Sequence, residues 1–76
     1  MYAKAIGDYS HAQNYSTQAI GVGSTAGGVG TIAQGNAQTV IGKYNEIDNN
    51  NDYAFVIGNG TDESDRKNIF SVNWDG

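Results

Sequence analysis

Cysteine is absent from the 76-residue chain, so neither a disulfide framework nor a thiolate metal site can support its fold. Charge is absent from a long internal stretch: between Tyr9 and Gly42 there is no Asp, Glu, Lys or Arg. A solvated surface normally carries many charges, so this segment is expected to be covered by copies of itself. Basic residues are scarce throughout, four against eight acidic, for a net charge of −4. That balance disfavours sequence-independent nucleic-acid binding, which rests on basic patches. No apolar run reaches the roughly 18 residues of a membrane-spanning helix, and Met1-Tyr2-Ala3-Lys4 does not open a signal peptide. The chain therefore reads as one soluble domain without membrane insertion.

What the chain has in abundance is repetition. Gly7, Asn14, Gly21, Gly28, Gly35 and Gly42 stand seven positions apart. Two residues earlier runs a second column, Ala5, Ala12, Ala19, Ala26, Ala33 and Val40. Two earlier again, the third is small and often hydroxylated: Ala3, Ser10, Thr17, Ser24, Thr31 and Gln38. A short period held this long is the mark of a stacked repeat architecture. Glycine costs roughly 1 kcal/mol at each helix-interior position, so the unit suits five strand residues and a two-residue corner. Only Gly or Asn fills the corner column, and both accept positive φ. Asn14 points to a left-handed corner rather than to a need for smallness alone. Between corners the residues alternate, placing Ser/Thr and Ala on one face and varied residues on the other. An invariably small face implies that another backbone comes close there. Coils this thin are not expected to supply a core from one chain, so obligate oligomerisation is inferred.

The varied face sets the coil. Ile6 and Ile20 lie two heptads apart, with Gln13 and Gly27 on the intervening strands. One coil should then hold about two heptads, with a phase shift near Ile32 and Gln34 and an irregular last coil. Seven of the eight acidic residues fall between Glu46 and Asp75. Val40-Ile41-Gly42 returns as Val56-Ile57-Gly58, two residues later than two heptads would place it. The intervening Asn45 to Asp52 therefore reads as a loop bulging from the stack. A second polar loop, Thr61 to Lys67, precedes a strand on which Phe70, Val72 and Trp74 share a face. An aromatic strand so near Gly76 suggests a piece of a longer protein. The expected organisation is a heptad-repeat β-roll over 1–44. Over 45–76 we expect an irregular final coil with two polar loops and a strand leading to an absent downstream domain.

These residues carry a resemblance. Ala5-Ile6-Gly7, Ser10-His11-Ala12, Ala19-Ile20-Gly21 and Ser24-Thr25-Ala26 resemble the head repeats of trimeric autotransporter adhesins of the YadA type. The stretch from Gln38-Thr39-Val40-Ile41-Gly42-Lys43-Tyr44-Asn45 through Phe55-Val56-Ile57-Gly58-Asn59-Gly60-Thr61 to Arg66, Asn68, Phe70 and Val72-Asn73-Trp74-Asp75-Gly76 is more particular. It resembles the end of such repeats in bacteriophage and prophage tail or neck-appendage proteins, where it often precedes a self-cleaving chaperone domain. The resemblance implies an all-β fold, a left-handed parallel β-roll (β-solenoid) with 7/14-residue repeats, assembled as a parallel homotrimer. Neither the membrane anchor nor the chaperone domain of these families is expected within these 76 residues.

Motifs with chemical overtones have plainer readings. Gly21-Val22-Gly23-Ser24-Thr25-Ala26 and Gly28-Val29-Gly30-Thr31-Ile32-Ala33 match the dinucleotide pattern G-x-G-x-x-G/A. The phosphate-binding form needs a helix to follow and an acidic residue beyond, whereas these glycines belong to the heptad. Gly27-Gly28-Val29-Gly30 begins like a calcium nonapeptide, but Ile32 replaces its Asp ligand. Asp48, Asn50 and Asp52 have the spacing of the first calcium-loop ligands. Tyr53 replaces the required Gly, though, and Asn59 the bidentate Glu, so the run reads as a solvated Asx-rich turn. Ser10 and His11 form the only Ser/His pair, yet adjacent strand residues face opposite ways and cannot make a dyad. His11 reads as an ordinary polar strand residue, with an ion held by three symmetry-related copies as the alternative. Asp62-Glu63-Ser64-Asp65-Arg66-Lys67 reads as a solvated charge run. Tyr2, Tyr9 and Tyr44 share a column; packing is their plain reading, and stacking of Tyr2 and Tyr9 on sugars the sharper one.

No catalytic, cofactor or metal site is expected, and no enzyme activity. The leading expectation is a rigid fibre segment of a phage tail or neck appendage, located in the virion and supporting attachment to a host receptor. The alternative is a bacterial surface adhesin head that binds matrix or glycan. Ice binding ranks third, because the Ser/Thr columns share the small face rather than an exposed array.

Overall fold

The computed structural model describes residues 3–75; Met1, Tyr2 and Gly76 lie outside the described residues. Those described are all-β, without helix: β1 (Lys4–Ala5), β2 (His11–Ala12), β3 (Gln18–Ala19), β4 (Thr25–Ala26), β5 (Ile32–Ala33), β6 (Thr39–Lys43), β7 (Tyr53–Asn59) and β8 (Asn68–Asn73). Odd strands build a parallel sheet β1-β3-β5, and even strands begin a second, β2-β4-β6, which β7 and β8 extend. The chain thus crosses from sheet to sheet as a β-solenoid of about four turns. Only β8 runs against the others, antiparallel to β7. The molecule is a slab with extents of 31 × 26 × 15 Å.

The alternation of small and varied residues decides what lies between the sheets. Ala19, Ala26, Ala33, Val40 and Val56 are fully buried and form one cluster. Thr17, Ser24, Thr31 and Gln38 are buried beside them. The backbone that comes close to the small face is therefore the opposite sheet of the same chain. A single chain does enclose a core, contrary to the sequence expectation, because sheets lined with alanine approach closely enough to exclude water without large side chains. No buried side-chain nitrogen or oxygen among the described residues lacks a hydrogen-bond partner.

Registers are continuous where a phase shift was expected. Lys4 lies beside Gln18 and Gln18 beside Ile32 in one sheet; His11, Thr25 and Thr39 follow one another in the second. Ile32 ends the row of Lys4 and Gln18 and does not displace the row of Ile6 and Ile20. The step lengthens only after β6, where Thr39 pairs with Phe55 and Val40 with Val56.

Corners consume more chain than expected, leaving five of the strands only two residues long. They are of two kinds. After β1, β3 and β5 the chain turns at Gly7, Gly21 or Gly35, none of which has positive φ, and the left-handed residue comes third: Tyr9 (φ 59°), Gly23 (69°) or Ala37 (60°). The amides of Ser10, Ser24 and Gln38 close these turns onto the Gly7, Gly21 and Gly35 carbonyls at 3.2, 3.2 and 3.3 Å. After β2 and β4, and in the last residues of β6, both the first and third corner residues are left-handed: Asn14 (78°) and Ser16 (55°), Gly28 (102°) and Gly30 (62°), Gly42 (96°) and Tyr44 (42°). Their middle residues, Tyr15, Val29 and Lys43, bridge coil to coil.

The corner column thus needs a left-handed residue at every second position only. What Gly7 and Gly21 provide is absence: a Cβ there would collide with the backbone carbonyl of Gly21 or Gly35 on the neighbouring coil. At Gly28 and Gly42 both reasons apply, the Cβ meeting the Gly42 or Gly58 carbonyl. Left-handed geometry runs without interruption through a different column, Tyr9, Ser16, Gly23, Gly30, Ala37 and Tyr44.

Asn45 to Asp52 closes the solenoid instead of bulging from it. In earlier coils the Lys4 and Gln18 amides bond to the Thr17 and Thr31 carbonyls. For Ile32 no further strand follows in its sheet, and the buried Asn45 carboxamide takes the place of one. Its Oδ1 accepts from the Ile32 amide at 2.8 Å while its Nδ2 donates to the Ile32 carbonyl at 3.0 Å. Gln38 Oε1 likewise accepts from the Gly35 amide, and Gln38 Nε2 donates to Asp48 Oδ2 at 2.9 Å. The Tyr53 amide donates to the same Asp48 oxygen at 2.9 Å. Asp48 is 7% exposed and caps the sheet, while Asn49 and Asn50 form the solvated turn expected and Asp52 is exposed.

Candidate functional site

The second kind of corner stacks along the solenoid axis and builds a concavity. Because Gly30 has no side chain and a left-handed backbone, the Tyr44 ring folds back over it; a Cβ there would run into the ring. Arg66, arriving from the loop between β7 and β8, lies 5.6 Å from the Tyr44 ring centroid. Its Nη1 donates to the Gly30 carbonyl at 2.9 Å and to the Asn45 carbonyl at 3.3 Å. These contacts fix a guanidinium at the surface, cation against aromatic face. The resulting groove, about 300 Å³, is lined by Lys4, Tyr15, Gln18, Tyr44, Glu63 and Arg66 among others. Gly30 underlies it where the chain passes from the second sheet back toward the first.

A second surface is apolar. Thr39, Phe55 and Val72 form one row across the last three strands, and Ile41, Ile57 and Phe70 form the next. Being one residue out of phase with buried Val40 and Val56, both rows face outward. The Phe55 and Phe70 rings meet edge to face at 6.2 Å and 71°. Phe70 remains 52% exposed, Ile41 39% and Val72 36%. Elsewhere on the outer surface Ile6, Tyr15, Val22 and Val29 are also exposed, and the chain carries no charged residue from Tyr9 to Gly42.

The structure disperses the other residues singled out by sequence. Ser10 Oγ donates to the Gly7 carbonyl at 2.5 Å, while His11 Nε2 lies 3.1 Å from Gln13 Oε1 on the exposed side. They serve different hydrogen bonds and form no dyad. Both glycine-rich hexapeptides span corners and short strands. Of the loop triad, Asp48 is committed to the cap while Asn50 and Asp52 are exposed. No cluster of three His, Cys, Asp or Glu gathers among the described residues. Tyr9 is almost wholly exposed, Tyr44 packs on Gly30, and Tyr2 lies outside the described residues. In the charged loop Asp62 bridges Asp65, whose carboxylate accepts from Thr61 Oγ1 at 2.7 Å. Trp74 lies beyond β8, its Nε1 donating to Asn51 Oδ1 at 3.1 Å.

Sequence reasoning missed the groove because Lys4, Tyr15, Tyr44 and Arg66 are far apart in the chain. One signal was present: Ser10 and Ser24 alternate with Thr17 and Thr31. The serines donate to the carbonyl three residues back, Gly7 or Gly21, and the threonines to that four back, Gln13 or Gly27. That alternation distinguishes the two kinds of corner. Comparison of the chain with family models, with curated proteins and with solved structures returns no match.

Proposed function

We propose that this chain is a non-enzymatic segment of a trimeric fibre, part of a phage or prophage tail or neck appendage, that gives rigid extension and supports host attachment. The observation that carries the reading is the outer surface. An isolated chain exposes Ile6, Val22, Val29, Ile41, Phe70 and Val72, with no charged residue from Tyr9 to Gly42. Of these, Ile41, Phe70 and Val72 join Phe55 and Ile57 in adjacent rows on one sheet, and an apolar patch of this kind favours association. Three parallel copies around one axis, each a left-handed roll with a two-heptad coil, would cover it and place the acidic closing segment outward. A stack of backbone ladders whose sheets share one small-residue core resists bending, which suits a spacer in a virion fibre.

Light scattering coupled to size exclusion tests the assembly. The expected mass is three times the 8.0 kDa of one chain; a folded monomer at micromolar concentration sinks the proposal. A second reading, the head of a bacterial surface adhesin that contacts matrix or glycan, is favoured by Tyr9, whose ring is 95% exposed at a corner. A parent protein with a stalk and a membrane-anchor barrel would select that reading; one ending in a chaperone-peptidase domain would select the fibre.

A further inference from the structure

We propose that the groove at the Tyr15–Gly30–Tyr44 corner binds a carboxylate-bearing sugar, its acid group held by Lys4 and Arg66 and its ring resting on tyrosine. The inference goes beyond a fibre or adhesin role and does not depend on which parent carries the segment.

Charge provides the first argument. The chain has only four basic residues and a net charge of −4, yet Lys4 and Arg66 line the same groove. Glu63 is the one acidic residue beside them, and it pairs with neither. The single ion pair among the described residues joins Lys67 to Asp65. The lining therefore keeps an excess of one positive charge in an acidic protein.

Preorganisation is the second. Arg66 is tied by Nη1 to the Gly30 and Asn45 carbonyls and stacked on Tyr44. An arginine carries five N–H donors, and among the described residues those on Nη2 and Nε have no hydrogen-bond partner. A guanidinium held in this way binds a carboxylate without first losing side-chain freedom.

The aromatic wall selects the rest of the ligand. Tyr15 is 51% exposed and faces the same space as Tyr44 and the Gln18 amide. Aromatic faces accept the C–H surface of a pyranose, and an amide pairs with its hydroxyls. A bare phosphate or sulfate would use the cations and leave the tyrosines idle. At about 300 Å³ the groove is at the lower end of ligand sites, roughly 300–1,000 Å³, which suits a short oligosaccharide rather than a large ligand.

The test is an NMR titration of the isotope-labelled chain with trigalacturonate, its neutral methyl ester, N-acetylneuraminate and sodium sulfate. The expected result is that both acidic sugars shift the Tyr15, Gly30 and Tyr44 amides and bind roughly tenfold more tightly than the ester or sulfate. Arg66→Gln loosens two carbonyls of the fold, so the test rests on two substitutions at exposed side chains. Lys4→Gln and Tyr15→Ala should each weaken binding about fivefold, as one lost charge-assisted bond or one lost stacking face would. Glu63→Gln should strengthen it, and Lys67→Gln, outside the groove, should leave it unchanged. Equal affinity for ester and acid overturns the proposal. So does sulfate binding that matches the sugars and survives Tyr15→Ala, or a loss with Lys67→Gln equal to that with Lys4→Gln. Light scattering on the same samples separates the two ideas: a monomer that binds overturns only the trimer, and a trimer that does not bind overturns only the groove.

Discussion

The two kinds of corner use the same sequence column for different reasons. After β1 and β3, glycine is required because the next coil's carbonyl occupies the place of a Cβ, and after β5 the Asn51 carboxamide does; the backbone there is conformationally ordinary. After β2 and β4, and at the end of β6, the same column must also turn left-handed, and Asn14 shares it with Gly28 and Gly42. Period alone does not distinguish crowding from handedness. The third residue of each corner sharpens the contrast. Tyr9, Ser16 and Ala37 all take positive φ, at about 1–2 kcal/mol per L-residue in that region, yet their column looks unremarkable in sequence. Stacking overrides local preference when every coil repeats the same turn.

The largest expected effect breaks the second kind of corner. Gly28→Val combines a β-branched residue at φ 102° with a Cβ driven into the Gly42 carbonyl. Backbone strain of about 1–3 kcal/mol and overpacking of about 1–3 kcal/mol together approach the roughly 3–5 kcal/mol that a core of this size supplies. Circular dichroism at 25 °C should show loss of the β-signal in the isolated chain. A cooperative melt close to wild type would refute both reasons at once.

A smaller pair of substitutions separates the two reasons within the first kind of corner. Gly21 has ordinary φ but no space, its Cβ position overlapping the Gly35 carbonyl; Gly23 has φ 69° with open space around it. Gly21→Ala should cost about 2–3 kcal/mol through overpacking of backbone on backbone. Gly23→Ala should cost about 1 kcal/mol, since Ala37 already holds the equivalent place. Urea denaturation measures both, and the reverse order would show that handedness rather than crowding rules this corner.

Between the corners, the interior itself must stay thin for either kind to close. Ala19 is fully buried between the sheets, and Ala19→Leu should cost about 1–3 kcal/mol. Gln18→Leu, on the outward face of the same strand, should change stability by less than about 0.5 kcal/mol. Were Gln18→Leu the more damaging in thermal melts, the inward and outward faces would be exchanged.

The solenoid, its parallel strands and its small inner face were legible because a period-two alternation inside a fixed longer period has few other structural solutions. The site of closure was not. Asn45 and Asp48 look like any polar loop, and only the Ile32 amide and carbonyl left at the end of β5 give them a task. Gln38 did break the Ser/Thr column visibly, but its departure acquires meaning only once Asp48 and Tyr53 are beside it. The groove was hidden for the same reason: Arg66 reaches Gly30 across the whole closing segment. Local periodicity carries the stack, whereas contacts made once carry its end and its candidate site.

The smallest expected effect tests the left-handed half of the comparison by relieving it. Asn14 holds φ 78°, is exposed, and its carboxamide makes no hydrogen bond among the described residues. Asn14→Gly removes what little side-chain strain Asn bears in this region and adds backbone freedom to the unfolded chain. The two effects oppose each other, so the net change should stay within about 0.5 kcal/mol, a shift in melting temperature of under about 4 °C. Asn14→Val, by contrast, should fall by more than about 1 kcal/mol, because a β-branched residue rarely takes positive φ at all. The two substitutions change the same position and share the same neighbours. A difference between them therefore reports handedness directly, and equal melting temperatures would mean that the second kind of corner, like the first, is governed by space alone.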